Sequence, residues 1–381
     1  MKVKISNGMF MALIINIVYA KAIGLTQGSM AREVGGDMWI STLISSIQGG
    51  LMMLLTVYLI RKSPELNVFE QGELFLGKWF GKLVGVLVFI FFLAASGVVF
   101  TTFIYHLKDY FLPEAPTLVF VAAVLIIAVF ALYHGIEVIA RMALIGVFSI
   151  LLLNILIILG SIGEFDIREL MPIFRYGVIA DSWASRHHTA DWSMATMMAF
   201  VILPMVKDKK IWGKSGTFGV LLGTMLVVLW PILEAGVLTA EVTGQYIISC
   251  MQMARSAEIG LFLHRYEMIM IAFFALSALT QIMMTFYCAA ISVQKIIGLK
   301  EYKRVIIPVS LILSGWGYWV VRDHHRAIHY IENYWVIIAL SISMGLPLLY
   351  LLLSLIFKRK LKGQSSPGRT RNQMVNPSQF D

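Results

Sequence analysis

The chain has 381 residues, 59% of them hydrophobic and 14% charged, with a mean hydropathy of +0.79 and a formal net charge of +9. Soluble domains carry about 25% charged residues, so this composition excludes a soluble globular protein and points to several membrane spans. Its two cysteines, Cys250 and Cys288, lie in unlike contexts and give neither a disulfide framework nor a metal spacing.

Lipid offers no partners to backbone groups, so long apolar runs there must be helices; the alternation a barrel needs is absent. A helical span takes about 20 mostly apolar residues. Ten runs qualify in chain order, at 8–31, 38–60, 82–106, 117–135, 140–161, 192–206, 215–239, 267–293, 304–321 and 333–357. Lys2 and Lys4 precede the first, but no small-residue cleavage site follows it, which reads as a retained span and not a signal peptide. The sixth, WSMATMMAFVILPMV, is short and holds Pro204; the ninth is short as well. Two connecting segments are longer, 162–191 and 240–266, the second with a short helix expected in GQYIISCMQMARS. A polar tail at 362–381, rich in Pro, Gly and Ser, is expected to be disordered, leaving 1–361 as one membrane domain.

Charge sets the orientation. With the N-terminus inside, the inner segments hold Lys2, Lys4, Arg61, Lys62, Lys207, Lys209, Lys210, Lys214, Lys295, Lys300 and Lys303, and the tail adds KRKLK. The outer segments hold far fewer, among them Arg32, Arg168, Arg175 and Arg186. This bias predicts cytoplasmic termini, and the net positive charge needs no nucleic acid to explain it.

Ten spans divide into five and five, and an odd number per half makes any repeat an inverted one, about 8–161 and 192–357. Spans one and six then correspond, and both are irregular: the first holds Lys21, Gly24 and Gly28, the sixth Thr196 and Pro204. Matched interruptions point to a binding site at mid-membrane, where free amides can meet a carboxylate and free carbonyls an ammonium. Lys21 has two readings, a stem reaching towards the outer surface or a nearby carboxylate, or a group lining the cavity. Polar stripes are expected on span three (Ser96, Thr101, Thr102) and span eight (Ser277, Thr280, Gln281, Tyr287), although hydroxyls also serve as interhelical glue.

Other residues favour structural roles. Glu137 and Arg141, four apart, are expected to pair; Arg265 and Glu267 share a helix face less readily. Glu234, after Pro231 near the outer end of span seven, has two readings: a hydrated rim carboxylate, which is favoured, or a group that attracts a cationic ligand or a proton. The stretches RHHTAD and RDHHRAIH place His187, His188, Asp191, Asp323, His324, His325 and His329 in loops without a closed ligand set, so no metal is expected. The abundant methionines read as packing. No phosphate loop, nucleophile elbow or catalytic carboxylate pair is present, and neither an enzyme nor a cofactor is expected.

Several stretches, in order, carry a resemblance: KISNGMFMALI, AREVGGDMWIS, LGKWFGKLVGVL, YFLPEAPTLVF, HGIEVIARMALI, HRYEMIMI and IIGLKEYKRVIIPVS. The chain resembles the B subunit of nutrient germinant receptors of bacterial spores, a branch of the amino acid–polyamine–organocation transporter superfamily. The resemblance implies an all-α, LeuT-like fold of ten spans with broken helices one and six. It further implies a place in the spore inner membrane with A and C subunits, and a small germinant, often an amino acid. Carried over from the family, ligand contacts fall on Ala20, Lys21, Ala22, Ile23 and Gly24; on Ser96, Gly97, Phe100 and Thr101; on Thr196, Met197 and Phe200; and on Ser277, Thr280, Gln281 and Tyr287. The register in spans three and six stays open. The chain departs from its relatives with AKA at the first break and MATMM where a Gly-Glu pair is expected in span six. A transporter of amino acids or cations, with or without proton coupling, is the competing reading.

Overall fold

The computed structural model describes residues 4–257 and 266–357, with Lys21 described by its backbone alone. Arg265 and the 362–381 tail lie outside the described residues. Within them the chain forms sixteen α-helices: α1 (Asn7–Ala22), α2 (Thr26–Val34), α3 (Met38–Arg61), α4 (Val68–Leu76), α5 (Lys78–Lys108), α6 (Thr117–His134), α7 (Ile136–Ser161), α8 (Val178–Ala184), α9 (Arg186–Ile202), α10 (Trp212–Leu238), α11 (Ala240–Gln245), α12 (Ser249–Ser256), α13 (Tyr266–Ile297), α14 (Ile306–Val321), α15 (His324–His329) and α16 (Val336–Ile356).

Eight stretches are long and apolar enough to cross a membrane. One of them, Thr26–Arg61, joins α2 and α3 through the 3-10 turn Gly35–Asp37. The other expected spans correspond to α1, with 16 residues, and α9, with 17. At about 1.5 Å per residue each falls short of a core about 30 Å thick, so α1 needs α2 to complete its crossing. The sixth span starts at Arg186 and not near residue 192, because RHHTAD is helical and not a loop. Its irregular part is the 3-10 turn Leu203–Met205, which contains Pro204.

Local chemistry places the ends. Asn67 and Glu70 form a reciprocal capping box that starts α4. Gly77 (φ 92°) and Gly135 (φ 89°) take backbone angles that side chains resist, and so let α4 turn into α5 and α6 into α7 without a loop.

Polar contacts fix two faces. On the N-terminal face, the Lys4 amide donates to the Met205 carbonyl (2.9 Å), Asn7 pairs with the Asp208 backbone, and Lys295 reaches Glu70 (2.5 Å). On the far face, Arg186 meets Glu33 (2.6 Å) and Asp37 accepts the amides of Phe174 and Arg175. Between them Ile47, Phe130, Phe148, Met225 and Ile337 stand 64–72% exposed, which on membrane-crossing helices makes them a lipid-facing belt. At the centre is α1, apolar around most of its surface, with Asn16 donating to the Ala143 carbonyl of α7, and packed by α7, α9, α10 and α13. A helix with apolar residues on all its faces is expected to be enclosed, and this one is.

Candidate functional site

The first span is interrupted. Its α-helical hydrogen bonding ends with the Ile23 amide on the Tyr19 carbonyl (3.2 Å), and α2 begins after Leu25, which offers no side-chain cap. Gly24 keeps an ordinary backbone angle and is needed for space: a Cβ there would stand 2.7 Å from His106 Cε1 and 3.0 Å from Thr102 Cγ2. The interruption presents the last carbonyls of α1 and the first amides of α2 inside a buried region. The α2 end is already answered by an anion. Thr26 Oγ1 donates to the buried Asp191 carboxylate (3.0 Å), and His188 Nδ1 lies 3.4 Å from the same oxygen. A carboxylate at a helix N-terminus is favoured by the helix dipole.

Two expected residues of span eight reach the first span. Ser277 Oγ donates to the Asn16 carbonyl (2.9 Å) and Gln281 Nε2 to the Ile17 carbonyl (2.5 Å). They are four apart and share a helix face. Gln281 Nε2 also lies 3.8 Å from Met194 Sδ, so span six contributes Met194 here. Ile23 and Gly24 lie in the break, and Ala20 and Ala22 in the last turn of α1 before it, all four buried; of Lys21, only the backbone, in that same turn, is described.

The remaining expected residues face other partners. Ser96 Oγ donates to the Leu93 and Leu313 carbonyls, and Gly97 lies against Val320, Tyr330 and Trp316, so both serve the α14 side of α5. The Phe100 ring packs on Gly317 and near Phe286, and Thr101 bonds back to the Gly97 carbonyl. Thr196 and Thr280 likewise bond within their own helices. Met197 is buried, and Phe200 meets Tyr350 edge-on. Tyr287 donates to Met205 Sδ (3.5 Å) and lines a cleft of about 500 Å³ on the N-terminal face with Lys4, Lys295, Lys300 and Lys303.

The side chains of span three that approach the break are Thr102 and His106, four apart. His106 Nδ1 faces the Thr102 carbonyl (2.6 Å), and its ring stacks on Phe274 of α13 (centroids 4.4 Å apart). A second network ties the end of α1 to spans five and seven. Tyr19 donates to Asn154 Oδ1, Trp230 Nε1 donates to Tyr19 (3.0 Å), and Asn154 donates to the Leu226 carbonyl (3.0 Å). Gln27, in the first turn of α2, is buried with neither amide atom hydrogen-bonded, and Gln281 Oε1 is likewise unpartnered. Buried polar atoms normally find partners, and Gln27 and Gln281 are among several here whose side chains keep unpaired atoms. Thr102–His106 and Ser277–Gln281 share the same spacing of four, which was the available sequence signal for His106.

Other expectations meet mixed outcomes. Glu137 pairs with Arg141 (2.6 Å) as expected. His187, His188 and Asp191 are buried in α9 and not in a loop, and Glu234 is buried and not at a hydrated rim. No group of three or more His, Cys, Asp or Glu is arranged for a metal among the described residues.

The crevice above α2 is nearly shut, about 10 Å³, between Gly28, Ser29, Tyr246 and Ile331, with Arg32 paired to Glu332 across it. Glu332 belongs to a π-helical turn, Tyr330–Trp335, which interrupts the tenth span. Beside it, a cleft of about 480 Å³ opens on the far face between Arg32, Asp37, Glu169, Arg175 and Tyr176.

Comparison with solved structures places this architecture. The fold is similar to that of MhsT in complex with L-phenylalanine (TM-score 0.64, 14% identity, covering 97% of this chain and 94% of that one). It is also similar to Mhp1, a nucleobase-cation-symport-1 family transporter, in a closed conformation with bromovinylhydantoin bound (TM-score 0.66, 11% identity, 95% and 91%). At these identities the likeness establishes a LeuT-like transporter fold. Among sequences, the spore germination protein YndE of Bacillus subtilis (strain 168) is 25% identical over 361 residues, 93% of this chain and 98% of its own length. Spore germination protein A2 of the same organism is 24% identical over 276 residues (71% and 74%), and GerQB of Bacillus cereus 22% over 284 residues (74% and 77%). The family model described as spore germination protein matches residues 4–315, and with the helices and the broken first span in agreement, this multi-pass membrane chain belongs to the spore germination protein (spore permease) family.

Proposed function

We propose that the chain is the nutrient-sensing membrane subunit of a germinant receptor. A small germinant, with an amino acid the first class to test, binds where the first span breaks, and the signal passes to A- and C-type partner subunits. The observation that carries this reading is the interrupted span held among buried amides, with Gln27 and Gln281 retaining unpaired atoms. Such atoms cost free energy when buried and gain it when a solute pairs them. The proposed contacts are Ala20, Lys21, Ala22, Ile23, Gly24, Ser277 and Gln281 from the expected set, joined by Gln27, Met194 and His106. Ser96, Gly97, Phe100, Thr101, Thr196, Met197, Phe200, Thr280 and Tyr287 then support the surrounding helices.

The lysine-rich N-terminal face is proposed to be cytoplasmic, since short loops there carry the positive charge, and the membrane to be the spore inner membrane. Ligand would then enter from the far face, past Arg32 and Glu332. Binding signals only if the germinant prefers one of two helix arrangements, because equal affinity for both shifts nothing. No covalent chemistry enters this scheme.

The second reading is transport of an amino acid or cation, favoured by the fold shared with MhsT and Mhp1. Reconstitution into vesicles separates the two. Saturable binding of a labelled amino acid without uptake supports the sensor, and ligand-dependent accumulation supports the transporter. Neither binding nor uptake across an amino-acid panel would sink both.

A further inference from the structure

Glu234 is a carboxyl group buried inside the far half of the bundle, on α10 one turn beyond Trp230. One oxygen, Oε2, accepts from Ser249 Oγ (2.7 Å) at the start of α12; the other, Oε1, has no hydrogen-bond partner. No basic group among the described residues forms an ion pair with it. Of the titratable groups, Cys250 on α12 stands beside it, Tyr19 on α1 and His106 on α5 lie on the far side of Cys250, and Asp166, which leads into the 3-10 turn packed on α10, donates its amide to the Gly236 carbonyl two residues on. These contacts form a chain. Ser249 and Cys250 open α12, Cys250 Sγ lies 3.5 Å from His106 Nε2, and His106 is the group against which Gly24 breaks the first span.

A carboxylate sealed from water with one hydroxyl and no cation costs several kcal/mol. Such a site is stable when it carries a proton, which needs no cavity. We propose that Glu234 is a proton-binding site that holds α12 closed over the break in the first span. The proton sits on the carboxyl in the closed arrangement and passes to water when α12 lifts. Because the closed form binds the proton more tightly, raising the pH favours the open one. The inference does not require a germinant, so its failure and that of the sensor reading are separable.

The test is hydrogen exchange of the α12 amides, Ser249–Ser256, in the full chain in lipid nanodiscs, corrected for the intrinsic pH dependence of exchange. Between about pH 5 and about pH 9, protection should fall in the wild type by about tenfold per pH unit once the group titrates. Glu234→Gln, isosteric and unable to ionise, should make protection independent of pH. Ser249→Ala removes the one hydroxyl that supports the carboxylate, and should move the wild-type midpoint to higher pH. Wild-type protection that does not change with pH would overturn the proposal. So would a slope retained in Glu234→Gln, or, if that variant does not fold, a midpoint unmoved in Ser249→Ala.

Discussion

Gly24 and His106 occupy one space: the missing Cβ of the first is 2.7 Å from the imidazole Cε1 of the second. The imidazole is pinned by the Thr102 carbonyl and by Phe274, so it has little room to retreat. Gly24→Ala is therefore expected to destabilise by about 1–3 kcal/mol through overpacking. In the His106→Ala background the same substitution should cost less, giving a coupling of about 0.5 kcal/mol or more in thermal unfolding in detergent. Strict additivity of the two changes would contradict the contact.

Gln281 holds the first span to the eighth through the Ile17 carbonyl. The Ile17 carbonyl lies inside α1, so Gln281→Leu should remove its second hydrogen bond, the one between helices, at a cost of about 0.5–1.5 kcal/mol. Thermal unfolding checks this, and an unchanged midpoint would show that the bond contributes nothing.

Arg32 and Glu332 close the far side above α2, with Ser29 donating to the same Glu332 carboxylate (2.9 Å). Both side chains are partly exposed, so the pair itself is worth only about 0–1 kcal/mol. Its effect should be on access. With Cys250 and Cys288 replaced by Ala, a Leu25→Cys probe should react with a water-soluble thiol reagent several-fold faster once Glu332→Gln is added. Equal rates would place the entry route elsewhere.

Asp181, on the far-face helix α8, is buried with neither carboxyl oxygen paired. Burial, with the charge of Asp37 added, pushes it from the usual 3.8 up to about 6. A carboxyl raised on folding contributes stability below its unfolded value and loses it as the pH rises through the folded one. The wild type should thus lose stability between about pH 4 and about pH 6, and Asp181→Asn should not. At neutral pH the variant should melt a few degrees higher than wild type, with no advantage near pH 4. A melting curve with the same pH profile in both would refute this.

Much of the fold was legible because lipid enforces it. Length and hydropathy located most of the spans, and Gly24 marked the place where the first one opens. The start of span six was misread because His187, His188 and Asp191 look like loop residues, whereas ion pairs and the Thr26 contact bury them in a helix. Glu234 misled for a similar reason: α11 and α12 fold over it, and no local pattern announces a cover built from residues that follow in the chain. Side-chain direction on span three was the hardest to read. Ser96, Gly97, Phe100 and Thr101 line the face packed towards α14, while Thr102 and His106 line the one facing the break. Composition treats these faces alike, and only packing distinguishes them.

The most direct test of ligand binding at the break is the germinant dose-response of spores carrying Ala22→Phe. Ala22 is the last residue of α1, fully buried beside the opening. Loss of the response, with the receptor still present in the spore membrane at wild-type level, is the predicted result. An unaltered dose-response would contradict binding at the break and place the germinant elsewhere.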